Sequence, residues 1–125
     1  MQSRIRVLSI ALTFVWVLMP MTVFSQELDF VLSHPEFNKV LVDNDRVRVI
    51  EFTLEAGEKE GWHSHPDRML YVVEGGIIRA EYETGEPVEF DLVTGTAMYR
   101  AADGTKHTAE NISDARIRII VTEFK

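Results

Sequence analysis

Three of the four histidines are spaced for metal chemistry. His63 and His65 are two residues apart, and His107 lies more than 40 residues downstream beside another turn. In a β-strand, residues i and i+2 project to the same face, so the first two imidazoles reach adjacent positions on one ion. A third from a neighbouring strand completes a face. Such a donor set suits a divalent transition metal, with Fe, Mn, Ni and Zn all compatible. A His-x-His pair also occurs on strands that bind nothing. His34 has no partner at useful spacing and reads as a surface or turn residue. No Ser-His-Asp order, phosphate-cradling glycine loop or paired-carboxylate arrangement accompanies the histidines.

The elements that must carry them read as all-β. Short apolar runs alternate with turn residues at intervals of about 8 to 12 residues, the pattern of a sandwich or barrel. The spacing predicts strands over 39–42, 46–54, 68–73, 77–83, 87–92, 96–100, 105–111 and 115–124. Val88, Phe90 and Leu92 alternate with Glu89 and Asp91, and Ala80 and Tyr82 with Arg79, Glu81 and Glu83, as in half-buried strands. Ile117, Ile119 and Val121 share a face, while Ile120 on the other face implies cover on both sides. The apolar parity switches at Val49-Ile50, which predicts a bulge or bend. Residues 26–35 fit an edge strand, a short helix or a lead-in equally well.

The string Gly57-Glu-Lys-Glu-Gly61-Trp62-His63-Ser64-His65 continues through Met69 to Glu74-Gly75-Gly76 and resembles the first cupin motif: glycine, five residues, His-x-His, three or four residues, glutamate, six residues, glycine. Gly104, His107 and Asn111 match the second motif. The resemblance covers residues 57–111, about half of the chain beyond the leader. It implies a single-domain jelly-roll β-barrel with His63, His65 and His107 as metal ligands. Three departures stand out. Met69 or Leu70 replaces the ligand glutamate, depending on the spacing; Ala102 replaces a proline; and Gly95 sits one residue before the expected glycine.

Without that glutamate, three neutral imidazoles leave the metal's full charge, which favours an anionic substrate, as in the three-histidine thiol and diketone dioxygenases this sequence resembles. Asp67 is an alternative carboxylate ligand, sharing parity with His65 across Pro66. Trp62, Met69, Tyr71, Met98 and Tyr99 are candidates to line an apolar pocket, with Arg100 as anchor for a substrate carboxylate. The plainer reading makes the apolar residues core and Arg100 a solvated charge. Three functions fit: a metal-dependent, dioxygenase-like enzyme; a non-catalytic small-ligand barrel, with or without metal; or a barrel working through its outer surface. Fold alone does not choose among them.

Residues 1–25 read as an export signal: Arg4 and Arg6, an apolar run from Val7 to Met19, and Val23-Phe24-Ser25 at the cleavage site. The run is shorter than the roughly 20 residues of a membrane span, and Pro20 lies just beyond it, so no stable span is expected after cleavage. Residues 26–125 then form one cupin domain, periplasmic or secreted. All 20 acidic residues fall in that part against 11 of the 13 basic ones, a charge of −9 that disfavours nucleic acid and anionic lipid. Cysteine is absent, which excludes disulfides, thiolate catalysis and Fe–S clusters. By the same resemblance, a homodimer paired through edge strands is expected.

Overall fold

The alternating runs become strands of two antiparallel sheets. The computed structural model describes residues 29–102 and 104–125, so the expected export signal and Asp103 lie outside the described residues. After a short helix α1 (Phe30–Ser33) come β1 (Asn38–Asp43), β2 (Val47–Leu54), β3 (Lys59–His63), β4 (Arg68–Glu74), β5 (Gly76–Ala80), β6 (Val88–Leu92), β7 (Ala97–Arg100), β8 (His107–Asn111) and β9 (Ile117–Phe124). One sheet has the order β1-β2-β9-β4-β7 and the other β3-β8-β5-β6. The all-β pattern is borne out, and the two sheets form the jelly-roll barrel that the cupin resemblance implied.

Its spine is the β2–β9 pair, in continuous register from Val47 opposite Phe124 to Leu54 opposite Ile117. Ile50, Phe52 and Leu54 face inward from β2, and Ile117, Ile119 and Val121 from β9, all nearly inaccessible to solvent. Each such side chain contributes about 1.5–3 kcal/mol of burial, so this pair anchors the core. Ile78, Leu92 and Ala109 meet it from the facing sheet, and Phe30 and Val31 of α1 from the side.

Four features depart from the sequence pattern. Residues 59–63 form an additional strand, β3, whose inward side chains, Glu60 and His63, are polar and so give no apolar alternation. The irregularity foreseen at Val49-Ile50 is a register shift in the β1–β2 pair, but the extra residue, Leu41, is on β1. Ile120 is half-buried beside Glu51 and Tyr71, and no second layer covers it among the described residues. The run 77–83 ends as strand at Ala80, and Tyr82 makes a separate bridge with His107.

The motif glycines and asparagine serve the backbone. Gly57 and Gly104 hold φ of 79° and 71°, a region costly for any side chain bearing a β-carbon. Asn111 is fully buried, with Nδ2 within 3.2 Å of the carbonyls of Leu54, Glu55 and Ala115 while Oδ1 accepts from Ser113 N. It ties the ends of β2 and β8 to the start of β9.

Candidate metal centre

Strand pairing brings the histidines together. β3 and β8 set His63 directly opposite His107, and a bulge between Glu60 and His63 turns both of these side chains inward while Trp62 faces out. His65 lies just past the end of β3. The ring centroids of His63 and His107 are 4.5 Å apart, those of His63 and His65 4.9 Å, and those of His65 and His107 5.4 Å. One nitrogen from each ring lies within 4.8 Å of the others, close enough to hold one ion. His107 also packs near Tyr82, with centroids 5.6 Å apart.

Two of these imidazoles are held neutral, as ligation requires. Burial, reinforced by the charges of His107 and His34, pushes the His63 ring down to about 3, against the bond to Gly61. Burial and then the charge of Arg68 hold His65 well below the ordinary histidine value. His63 Nδ1 donates to the Gly61 carbonyl at 2.7 Å, which leaves Nε2 with the lone pair. His65 Nδ1 lies 3.2 Å from Glu123 Oε1. The donor set therefore fits a transition ion.

Carboxylates stand behind both rings, and neither was foreseen. Glu123 continues the inward face of β9 after Ile117, Ile119 and Val121, and is 1% exposed. Arg48 donates to its Oε2 from Nε at 2.8 Å and Nη2 at 2.5 Å, and grips Asp29 with Nη1 and Nη2 at 3.2 and 2.8 Å. Asp29 caps α1 through the amides of Val31 and Leu32. That helix lays Phe30 against His65 and His63, with centroids 4.3 and 5.3 Å apart. The stretch least legible in sequence thus walls the site.

Glu60 is completely buried, with Oε1 accepting from Asn38 Nδ2 at 2.8 Å. Burial pushes its carboxyl up to about 8, the Asn38 bond opposes this and the charge of Glu36 adds to it. Its Oε2 is 3.6 Å from His63 Nδ1, but that nitrogen is bonded to Gly61 and the ring is held neutral, so this is no ion pair. His34 is not a plain surface residue: its ring packs where a β-carbon on Gly61 would stand, and its centroid is 6.2 Å from that of His63.

The cupin domain profile matches residues 50–123, more than half the chain. The chain belongs to the cupin family. Among solved structures, a cupin domain from Bordetella pertussis Tohama I is 30% identical, covers 70% of this chain and 91% of its own, and superposes with a TM-score of 0.65. A cupin described as RmlC-like, with a double-stranded β-helix fold, from Methanocaldococcus jannaschii is 20% identical, covers 70% and 77%, and has a TM-score of 0.57. A Bacillus halodurans protein is 22% identical, with coverage of 70% and 69% and a TM-score of 0.55. The last two likenesses concern the fold alone. No curated protein matches the chain.

In this cupin the histidines open onto a cavity of about 380 Å³ between the sheets, lined by apolar side chains such as Phe52, Leu70, Ile78 and Phe90. Met98 and Arg100 line it, the latter with its guanidinium 5.6 Å from the centre of the Phe90 ring. Arg68 and Tyr82 line it too; Tyr82 was signalled by its parity with Ala80. Trp62, Met69 and Tyr71 do not line it. They are 43%, 46% and 48% exposed, because β4 turns Leu70 and Val72 inward and the β3 bulge turns Trp62 out. Tyr99 also faces out, donating to Asp67 at 2.9 Å, and Asp67 accepts from Ala102 N at 2.7 Å instead of joining the histidines. Leu70 therefore occupies the cavity where the longer spacing of the family motif places its glutamate.

Proposed function

We propose that this protein is an exported, metal-dependent cupin enzyme, dioxygenase-like, acting on a small anionic or chelating substrate. The observation that carries the reading is the convergence of three imidazoles, two of them held neutral, on one apolar cavity. His63, His65 and His107 would hold a divalent Fe, Mn, Ni or Zn ion. When bound, such an ion supplies a Lewis acid and, for redox-active metals, a route to dioxygen chemistry.

Two arginines offer contacts to an anionic ligand, beside the carboxylates Glu89 and Asp91 that line the same cavity. Arg68 and Arg100 face each other across the β4–β7 pair and both line the cavity, and the charge of Arg68 is felt at His63 and His65. A carboxylate bound between them would accept hydrogen bonds from both guanidinium groups. The apolar walls would exclude water and hold the substrate's carbon skeleton.

A non-catalytic ligand-binding barrel is the second reading, favoured by one observation: the cavity is walled largely by apolar side chains, which can hold a ligand without reacting with it. Oxygen uptake by the metal-loaded mature protein, with small carboxylate thiols and β-diketones as substrates, separates the two. Uptake that disappears in His63→Ala supports the enzyme; recovery of every compound unchanged supports the binder.

Export rests on the leader pattern, and sequencing the N-terminus of the secreted or periplasmic protein tests it. The homodimer would pair through β1, an outer strand that exposes Val40, Leu41 and Val42. A mass in solution that falls to the monomer's on Leu41→Lys supports this contact.

A further inference from the structure

We propose that Glu123 is the positioning residue of this centre: its carboxylate fixes His65 as the Nδ1–H tautomer and so leaves the Nε2 lone pair for the metal. The inference rests on the three-histidine reading of the centre. Its geometry is that of a divided carboxylate. Oε2 takes both Arg48 bonds, while Oε1 lies 3.2 Å from His65 Nδ1.

The place of Glu123 in the fold argues against a purely structural role. It occupies the fourth inward position of β9, after Ile117, Ile119 and Val121, and is as buried as they are. An aliphatic residue there would extend the core and avoid desolvating a charge, and buried ion pairs seldom stabilise more than the apolar residues that could replace them. What an aliphatic residue cannot do is accept the Nδ1–H of His65. His63 has the same need met by a backbone carbonyl, that of Gly61. Glu60 does not share the task, since it stands 3.6 Å from a nitrogen already bonded to Gly61.

Glu123 also bears on the missing ligand carboxylate. Leu70 stands in the cavity where the longer spacing of the family motif has glutamate, and Glu123 places a carboxylate one step removed, behind His65. A carboxylate there makes the imidazole a stronger donor, and loss of such a partner typically weakens metal binding about 10- to 100-fold.

Glu123→Gln is the sharpest test because it keeps shape and removes only the second acceptor. Arg48 has no acceptor of its own and would claim the amide oxygen, turning the amide NH2 towards His65 Nδ1. His65 would then become the Nε2–H tautomer, with its lone pair facing away from the centre. Nitrogen-15 NMR of the metal-free protein reads that tautomer, and competition between the protein and a chromogenic chelator for Zn(II) reads affinity. Nδ1–H in the wild type, a switch to Nε2–H in Glu123→Gln and a 10- to 100-fold loss of Zn(II) affinity support the proposal. Nε2–H in the wild type overturns it, as does an unchanged tautomer with affinity within about twofold of wild type. Should Glu123→Gln not fold, the wild-type tautomer alone decides. A wild type that binds no Zn(II) refutes the three-histidine reading, and the NMR result still settles the role of Glu123.

Discussion

Arg48→Met tests the network behind the centre. Arg48 carries five N–H donors, and it makes four hydrogen bonds to Glu123 and Asp29. Methionine keeps much of the stem and removes every one. Glu123, with a side chain only 2% exposed, is then left without its counter-ion, and breaking a buried pair in this way costs about 3–5 kcal/mol. Domains of this size are stable by only about 5–15 kcal/mol, so the melting temperature should fall on the order of 15 °C. The sign with pH comes from Glu123. Burial raises its folded value above the ordinary range, with Arg48 opposing through its hydrogen bond and charge. Removing Arg48 raises it further. A raised folded value means stability that is present below the unfolded value and lost as pH rises through the folded one. The deficit of Arg48→Met should therefore be small at about pH 4 and full at about pH 7. Urea unfolding at both pH values is the assay, and Glu123→Leu in the same chain should restore most of the loss. A deficit below about 1 kcal/mol at neutral pH, or one equal at both, would refute this reasoning.

The same geometry makes further outcomes testable. Glu60 has a folded value of about 8 against an ordinary 4.5, so wild-type stability should decline as pH rises between them; Glu60→Gln should flatten that decline, on the order of a few kcal/mol, in denaturation curves taken across the range. Leu70→Glu should return a carboxylate to the cavity, tightening Zn(II) binding about tenfold or more in chelator competition while lowering the melting temperature of the metal-free protein. Arg100→Met should weaken binding of small carboxylates by about 1.5–3 kcal/mol, measured calorimetrically, and leave Zn(II) affinity unchanged.

The legible parts of this fold were those where apolar side chains alternate. β2 and β9 could be read directly because Ile50, Phe52, Leu54, Ile117, Ile119 and Val121 face one core. β3 could not, since its inward residues are Glu60 and His63, and the bulge that points both inward leaves no apolar trace. On β4 both faces are apolar, so parity alone did not distinguish inward Leu70 from outward Met69 and Tyr71; the β4–β9 register decides it. The three histidines were visible because their spacing falls within two family motifs. The groups behind them were hidden for a physical reason: a carboxylate in a sequence reads as solvated, and the burial of Glu60 and Glu123 depends on partners 22 and 75 residues away, Asn38 and Arg48. A trace of Glu123 did exist, in its parity with Ile117, Ile119 and Val121. Asp29 and Phe30 left none, because their roles rest on contacts to Arg48, His63 and His65, all distant in sequence.

The central claim is that His63, His65 and His107 hold one metal ion, and elemental analysis of the purified, untagged protein tests it most directly. The comparison is with the triple variant His63→Ala, His65→Ala, His107→Ala prepared in the same way. The predicted result is close to one transition-metal ion per wild-type chain and essentially none in the variant. Equal metal content in the two proteins, whether negligible or not, would contradict it.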